Sequence, residues 1–280
     1  YDQYQQLTSY INQMYVYKHG YTYKYYSGKK GCIHKNFPDL KRKNFWCKVI
    51  AMMKAARELD VDWVLYLDSD TFVANNTIEL PWMMDYLNEN ELLGKFNDSN
   101  VWDSWKPHKF DLDKLVLSVG ATWRFPEKLI NAGVLAMRLN KNLLCDSKGN
   151  YCKEKVVDKC EMCAIQILNY WWDCAGASNA GEDDDQDGFR DFVLGDPIWK
   201  HHVAISKADT MNHRSTYGFD YIEHWTGAIR RARMPRYREH LGTLTEEIKN
   251  YPETRWSRCV NITKWGYDDD QVIPWCSSRE

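Results

Sequence analysis

A chain of 280 residues can bury a large core and sits at the upper end of what one α/β domain reaches, so it reads as a single domain over residues 1–280. Its formal net charge of −2 gives no general attraction to nucleic acid or to an anionic membrane surface, and both are set aside as partners. The 13 Trp and 18 Tyr exceed what core packing usually needs; flat aromatic faces suit sugar rings, although most Trp in any protein pack inside.

In chain order, the apolar and aromatic residues Leu7, Tyr10, Ile11, Met14 and Tyr15 recur at helical spacing, and the pattern stops at Gly20. An aromatic strand is predicted over residues 21–26. Over residues 44–59 the positions Trp46, Val49, Ile50, Met53 and Ala56 share one helical face and lead through Asp60 into Trp63-Val64-Leu65-Tyr66-Leu67. That run is apolar on both faces, as in a central parallel strand. Helix alternating with strand is the α/β pattern, and it places Asp68-Ser69-Asp70 where the carboxyl end of a strand opens into a crevice. Further strands are predicted over residues 115–119 and 133–139 and a helix over residues 156–172, ahead of the acidic cluster at residues 182–187. No internal repeat or low-complexity tail is visible.

Of the nine Cys, five lie in a stretch, residues 145–174, that reads as a disulfide-bearing insertion made in an oxidising compartment. Zinc is the rival for Cys160-Glu-Met-Cys163, but no second CxxC follows. The sequons at Asn75, Asn97 and Asn261 point the same way. No segment has the apolar length of a membrane span and no signal peptide opens the chain, so a lumenal protein would have had its targeting segment cut away.

Three clusters carry the chemistry. Asp68 and Asp70, one residue apart at a strand end, can reach one divalent cation together; the bland alternative is a turn in which the aspartates cap backbone amides. Asp183-Asp184-Asp185-Gln186-Asp187-Gly188 opens like a calcium-binding loop, but Leu194 stands where the bidentate Glu belongs, and carboxylates at a helix start are the alternative. In Ile222-Glu223-His224-Trp225-Thr226-Gly227 the imidazole gains meaning in combination: one His with two carboxylates suits a six-coordinate Mn2+ whose other ligands are phosphate oxygens.

Asp68-Ser69-Asp70, Asn131-Ala132-Gly133, Asp184-Asp185-Gln186 and His224-Trp225-Thr226-Gly227, in this order, resemble the retaining glycosyltransferases of the GT-A fold. The nearer resemblance is to the plant xyloglucan xylosyltransferases and the fungal α-galactosyltransferases and mannosyltransferases, shared by Tyr15-Val16-Tyr17-Lys18-His19-Gly20-Tyr21, Trp46-Cys47-Lys48 and Asp269-Asp270-Gln271. The resemblance implies a Rossmann-like α/β domain with a mostly parallel central sheet flanked by helices. It also implies Mn2+ held by Asp68, Asp70 and His224, with the Asp68-Ser69-Asp70 loop and Gly227 in the donor site. Lys48 would lie near the phosphates or donor sugar, Asn131 and Gly133 on the acceptor side, and Asp184, Asp185 and Gln186 by the anomeric carbon. In the xylosyltransferases the His is followed by a Lys and a Cys; here Ala228-Ile229-Arg230-Arg231 takes that place, so Arg230 or Arg231 would meet the diphosphate. GT-A folds begin with a nucleotide-binding strand, and this chain starts on the helix after it, which puts that strand upstream of residue 1 or modifies the fold.

The function this implies is transfer of galactose or xylose from a UDP-sugar to a glycan or glycoprotein acceptor, with an α-linkage. The setting is the Golgi or ER lumen, the full-length form being a type II membrane protein held by an N-terminal anchor. GDP-mannose-dependent and glycogenin-like transferases are the alternatives within the class. Outside it stand a catalytically silent carbohydrate-binding module and a metal-dependent phosphohydrolase, which normally needs more carboxylates around two metals.

Overall fold

The computed structural model describes residues 3–26, 32–34, 37–96, 105–121, 130–152, 160–174, 185–206, 222–224, 260–265 and 270–275. The first half of the chain forms α1 (Gln3–His19), β1 (Cys32–His34), β2 (Phe37–Arg42), a 3-10 turn (Asn44–Trp46) running into α2 (Cys47–Glu58), β3 (Trp63–Leu67), β4 (Thr71–Val73), α3 (Leu80–Glu89), β5 (Leu93–Phe96), β6 (Trp105–Pro107), β7 (Leu117–Ala121) and β8 (Ile130–Arg138). The second half forms β9 (Leu144–Cys145), β10 (Glu161–Met162), α4 (Cys163–Cys174), α5 (Asp185–Gly188) with a following π turn (Phe189–Val193), a 3-10 turn (Trp199–His202), β11 (Val203–Ser206), β12 (Ile222–His224), β13 (Val260–Trp265) and β14 (Asp270–Trp275).

The two early helices stand where their apolar spacing put them. Helix α1 ends in a left-handed turn at Gly20, φ +71°, where Tyr21 N–H donates to the Val16 carbonyl at 2.8 Å and closes off the last turn. Residues 21–26 form no strand. Their rings pack on α1 instead: Tyr23 hydroxyl and Ser9 hydroxyl share a 2.8 Å hydrogen bond, and Tyr21 stacks on His19 with ring centroids 5.5 Å apart. The helix predicted over residues 156–172 begins at Cys163, with residues 153–159 outside the described ones.

The α/β architecture is as expected, but the sheet is not mostly parallel. Its six strands run β3-β8-β7-β11-β5-β6, and only the β7/β11 pair is parallel. Strand β3 is also not central: it lies at one end of this order, pairs antiparallel with β8 from Trp63↔Arg138 to Leu67↔Val134, and is half-buried at every residue. Among the described residues no strand pairs with its other edge. Uniform apolarity reports that both faces of a strand are covered, and it says nothing of the direction of the neighbours. Both faces of β3 are indeed covered. Val64 and Tyr66 pack into one core cluster with α2 and α4, while Trp63, Leu65 and Leu67 pack into a second with Tyr15 of α1 and Met83, Met84 and Leu87 of α3. Period-two alternation in the strand thus divides the core into two layers around the sheet.

Among the described residues three disulfides tie down helix starts and the insertion: Cys32–Cys47, Cys145–Cys163 and Cys152–Cys160. Cys160 and Cys163 therefore belong to different bridges, and the zinc reading of that pair is gone.

Candidate active site

The site is built at the end of β3. The ladder with β8 continues one residue past the strand, Asp68 N–H donating to the Gly133 carbonyl at 2.8 Å, and the chain then turns, Thr71 N–H donating to the Asp68 carbonyl at 3.0 Å. Buried polar residues of α1 hold this turn from behind. Thr8 hydroxyl donates to the Ser69 carbonyl at 2.7 Å, and Asn12 grips β4 with both ends of its amide, Nδ2 on the Thr71 carbonyl and Oδ1 accepting Val73 N–H, each at 3.0 Å. An amide that satisfies a donor and an acceptor of one extended segment fixes its path as a neighbouring strand would. Strand β12 lies antiparallel on β4 with His224 in register with Thr71, so the backbone of His224 stands beside the residue that follows Asp70.

On β8 the pairing with β7 slips: Val119 faces Leu135, while the next residue, Gly120, faces Asn131. Residues 132–134 form the resulting bulge, a device common beside active sites because it re-aims backbone groups. Within it Asn131 Oδ1 accepts Gly133 N–H at 2.8 Å, and the Ala132 carbonyl accepts Lys48 Nζ at 3.0 Å.

Lys48 is the hub. It is the second residue of α2 and 4% exposed, and its ammonium lies 2.7 Å from Asp185 Oδ2 and 3.6 Å from Asp68 Oδ2. It also sits 5.5 Å from the centre of the Tyr66 ring. One side chain thus gathers the strand-end Asp68, the Asn131-Ala132-Gly133 bulge and the Asp185 segment. Tyr66 hydroxyl donates to Asp68 Oδ1 at 2.6 Å. Burial first, and then the charges of Asp68, Asp185 and Asp70, hold its phenol well above the ordinary value, so it stays a donor, and their joint influence marks the three carboxylates as neighbours.

Asp185 opens the short α5 and is 2% exposed. Its carbonyl accepts the Trp171 indole N–H at 3.0 Å. Two residues on, Asp187 pairs with Arg190 at 2.9 Å. Gly188 lies flat on the Trp46 indole: a Cβ there would stand 2.7 Å from the ring, so a side chain is excluded. Trp46, Trp171 and Trp172 are fully buried and contact one another at ring centroids 6.2 and 6.1 Å from Trp46, forming a rigid floor under α5.

Of the residues singled out in the sequence, Lys48, Asp68, Asp70, Asn131, Gly133 and Asp185 are brought together, with the backbone of His224 alongside. Lys48, expected beside the phosphates or donor sugar, is buried beneath the turn. Asp185, expected by the anomeric carbon, gives its carboxylate to Lys48, and the neighbouring Gln186 is the more exposed of the two. Ser69 is exposed, its carbonyl held by Thr8. Asp184, Gly227, Arg230 and Arg231, with Asp269 of the late motif, lie outside the described residues. Among the described residues no three His, Cys, Asp or Glu side chains form a ready metal cage. Tyr66, Thr8 and Asn12 were not singled out. Tyr66 carried a signal, since residues two apart on a strand share a face and a phenol placed there can reach Asp68.

No protein-family model and no curated protein matches the chain. Among solved structures it is similar to a glycosyltransferase involved in the glycosylation of the major capsid of PBCV-1, at 15% identity and a TM-score of 0.49, over 84% of this chain and 92% of that one. At that distance the reading of the site has to come from its own residues.

Proposed function

We propose that the protein is a retaining glycosyltransferase that moves galactose or xylose from a UDP-sugar to a glycan or glycoprotein acceptor with a divalent cation, Mn2+ in the leading case. The observation that carries the reading is the convergence, around one buried ammonium, of Asp68, Asp185 and the Asn131-Ala132-Gly133 bulge, segments far apart in sequence that resemble the parts of such a site.

The donor chemistry of the site fits a divalent cation. Asp68 and Asp70 offer hard carboxylate oxygens, both half-buried at the end of β3, which suit Mg2+ or Mn2+. Asp68, Asp70 and Asp185 together outnumber the ammonium of Lys48 by two charges, the charge of such an ion. Asp68 already accepts the Tyr66 hydroxyl, but a carboxylate has roughly four acceptor positions and room remains. Asp68 and Asp70 would hold the ion, with His224 as the third protein ligand. Bound there, such an ion would supply positive charge to neutralise the diphosphate leaving group of the donor.

The protein's own residues do the rest. The Tyr66 hydroxyl and the α1 amide and hydroxyl groups fix the carboxylate turn before substrate arrives, so little reorganisation is needed when charge develops. Gln186, beside the buried Asp185, is the group assigned to the anomeric carbon, where a carboxamide stabilises an oxocarbenium-like centre without being a strong nucleophile. Asn131 and Gly133 border the acceptor side. UDP calorimetry tests the reading: binding is expected with Mn2+ present and lost with chelator, and equal affinity in both sinks it. A panel of UDP- and GDP-sugars scored for slow hydrolysis then identifies the donor without knowledge of the acceptor. Release of free sugar as fast without acceptor as with it would favour a hydrolase instead.

A further inference from the structure

Asp185 and Asp68 share one ammonium unequally. Lys48 Nζ is 2.7 Å from Asp185 and 3.0 Å from the Ala132 carbonyl, but 3.6 Å from Asp68. Lys48 is 4% exposed and Asp185 2%, whereas Asp68 is half-buried, so the tight pair lies on the dry side of the site. In such surroundings a full charge acts strongly on its neighbours. A lysine this close to a cation-binding carboxylate would compete with the cation unless something held it back.

We propose, resting on the cation-site reading above, that Asp185 and the Ala132 carbonyl form a clamp that draws the Lys48 ammonium away from Asp68 and so keeps Asp68 open to a divalent cation. Asp185 is then a positioning residue that acts on the cation site through Lys48, and Lys48 in turn fixes α5 against the β8 bulge. The chemistry at the sugar is left to the neighbouring, more exposed Gln186.

The clamp makes a prediction that a merely supporting role does not. Removing Asp185 leaves Asp68 as the nearest carboxylate to the ammonium among the described residues, so cation binding should weaken; removing Lys48 as well should restore it. The test is calorimetry with MnCl2 alone on the whole chain, comparing wild type, Asp185→Asn, Lys48→Met and the double variant, with thermal melting of each. Asp185→Asn is expected to weaken Mn2+ binding about tenfold or more, and the double variant to return to within about threefold of wild type. Lys48→Met alone should bind Mn2+ more tightly than wild type. That variant strands a buried carboxylate and is the most at risk of failing to fold, so the matter is decided by Asp185→Asn, whose ammonium keeps Asp68 and the Ala132 carbonyl, and by the double variant, which removes both buried charges. Unchanged Mn2+ affinity in Asp185→Asn, or a double variant no better than Asp185→Asn, overturns the clamp while the cation site stands. Absence of Mn2+ binding to the wild type overturns both.

Discussion

Asp70 and Gln186 separate folding from chemistry. Asp70 sits on the turn after β3 and is half-buried, not a core residue, so Asp70→Ala should abolish cation-dependent transfer while the melting temperature stays close to wild type; near-normal transfer by this variant would contradict the assignment. Gln186→Ala should lower kcat more than it weakens donor binding, because a group that acts on developing charge is felt in the transition state. Equal losses in both would reduce Gln186 to a binding residue. Gly188→Ala works differently, forcing a methyl to within 2.7 Å of the Trp46 ring. Trp46 is buried against Trp171 and Trp172 and cannot swing aside, so overpacking should cost about 1–3 kcal/mol in urea unfolding. Much of this site was legible: Asp68, Asp70 and Asp185 declare themselves by charge and spacing. The link between them was not. Lys48 stood out only through the resemblance, as a residue near the donor, and its link to Asp185 and the β8 bulge was not visible: the slip in the β7/β8 register, which residue types do not encode, accompanies the Ala132 carbonyl contact.

At the level of elements, helices were read better than strands. The α1 and α2 patterns are periodic and local, and Gly20 stops the first one where its positive φ is needed. Strand partners are chosen by distant segments, so β3 could be read as a strand but not as an antiparallel one at the end of the sheet order. The aromatic run at residues 21–26 failed for a related reason: tyrosines that favour strands also pack on helices, and these pack on α1. The Cys32–Cys47 bridge, outside the Cys-rich insertion, joins β1 to the start of α2. Cys47 precedes Lys48, so the Cys32–Cys47 bond anchors the turn of α2 that carries the hub of the site. It closes a separation of 15 residues, for which chain entropy gives about 3 kcal/mol. The double variant Cys32→Ser/Cys47→Ser should lose about that much stability. Its Mn2+ affinity should also change, whereas opening Cys152–Cys160, in the insertion, should leave Mn2+ affinity alone; the reverse order would separate α2 anchoring from the site.

For the molecule as a whole, the clearest pH liability lies away from the candidate site, where the insertion meets the 3-10 turn before β11. His202 is 2% exposed, with Nε2 donating to the Gly149 carbonyl at 3.0 Å; that leaves Nδ1 to accept the Tyr151 hydroxyl at 3.3 Å. Gly149 itself has φ +87° and packs against Trp199, where a Cβ would stand 2.9 Å from the ring. Burial lowers the His202 pKa below its ordinary value of 6.5; the bond to Gly149 opposes this, and His201 adds to it. The unfolded chain therefore takes up a proton before the folded one does. His202 contributes its full stability above about pH 6.5, and that contribution is lost as pH falls from there through the lower folded value. The loss cannot exceed about 1.4 kcal/mol per pH unit for one proton. Urea unfolding of the whole chain at pH 7.5 and 5.5 should show wild type weakening on acidification. His202→Gln, which can still donate to Gly149 but does not titrate, should start less stable and weaken less over the same interval. An equal loss in the two proteins would move the acid sensitivity to other groups and leave His202 as packing alone.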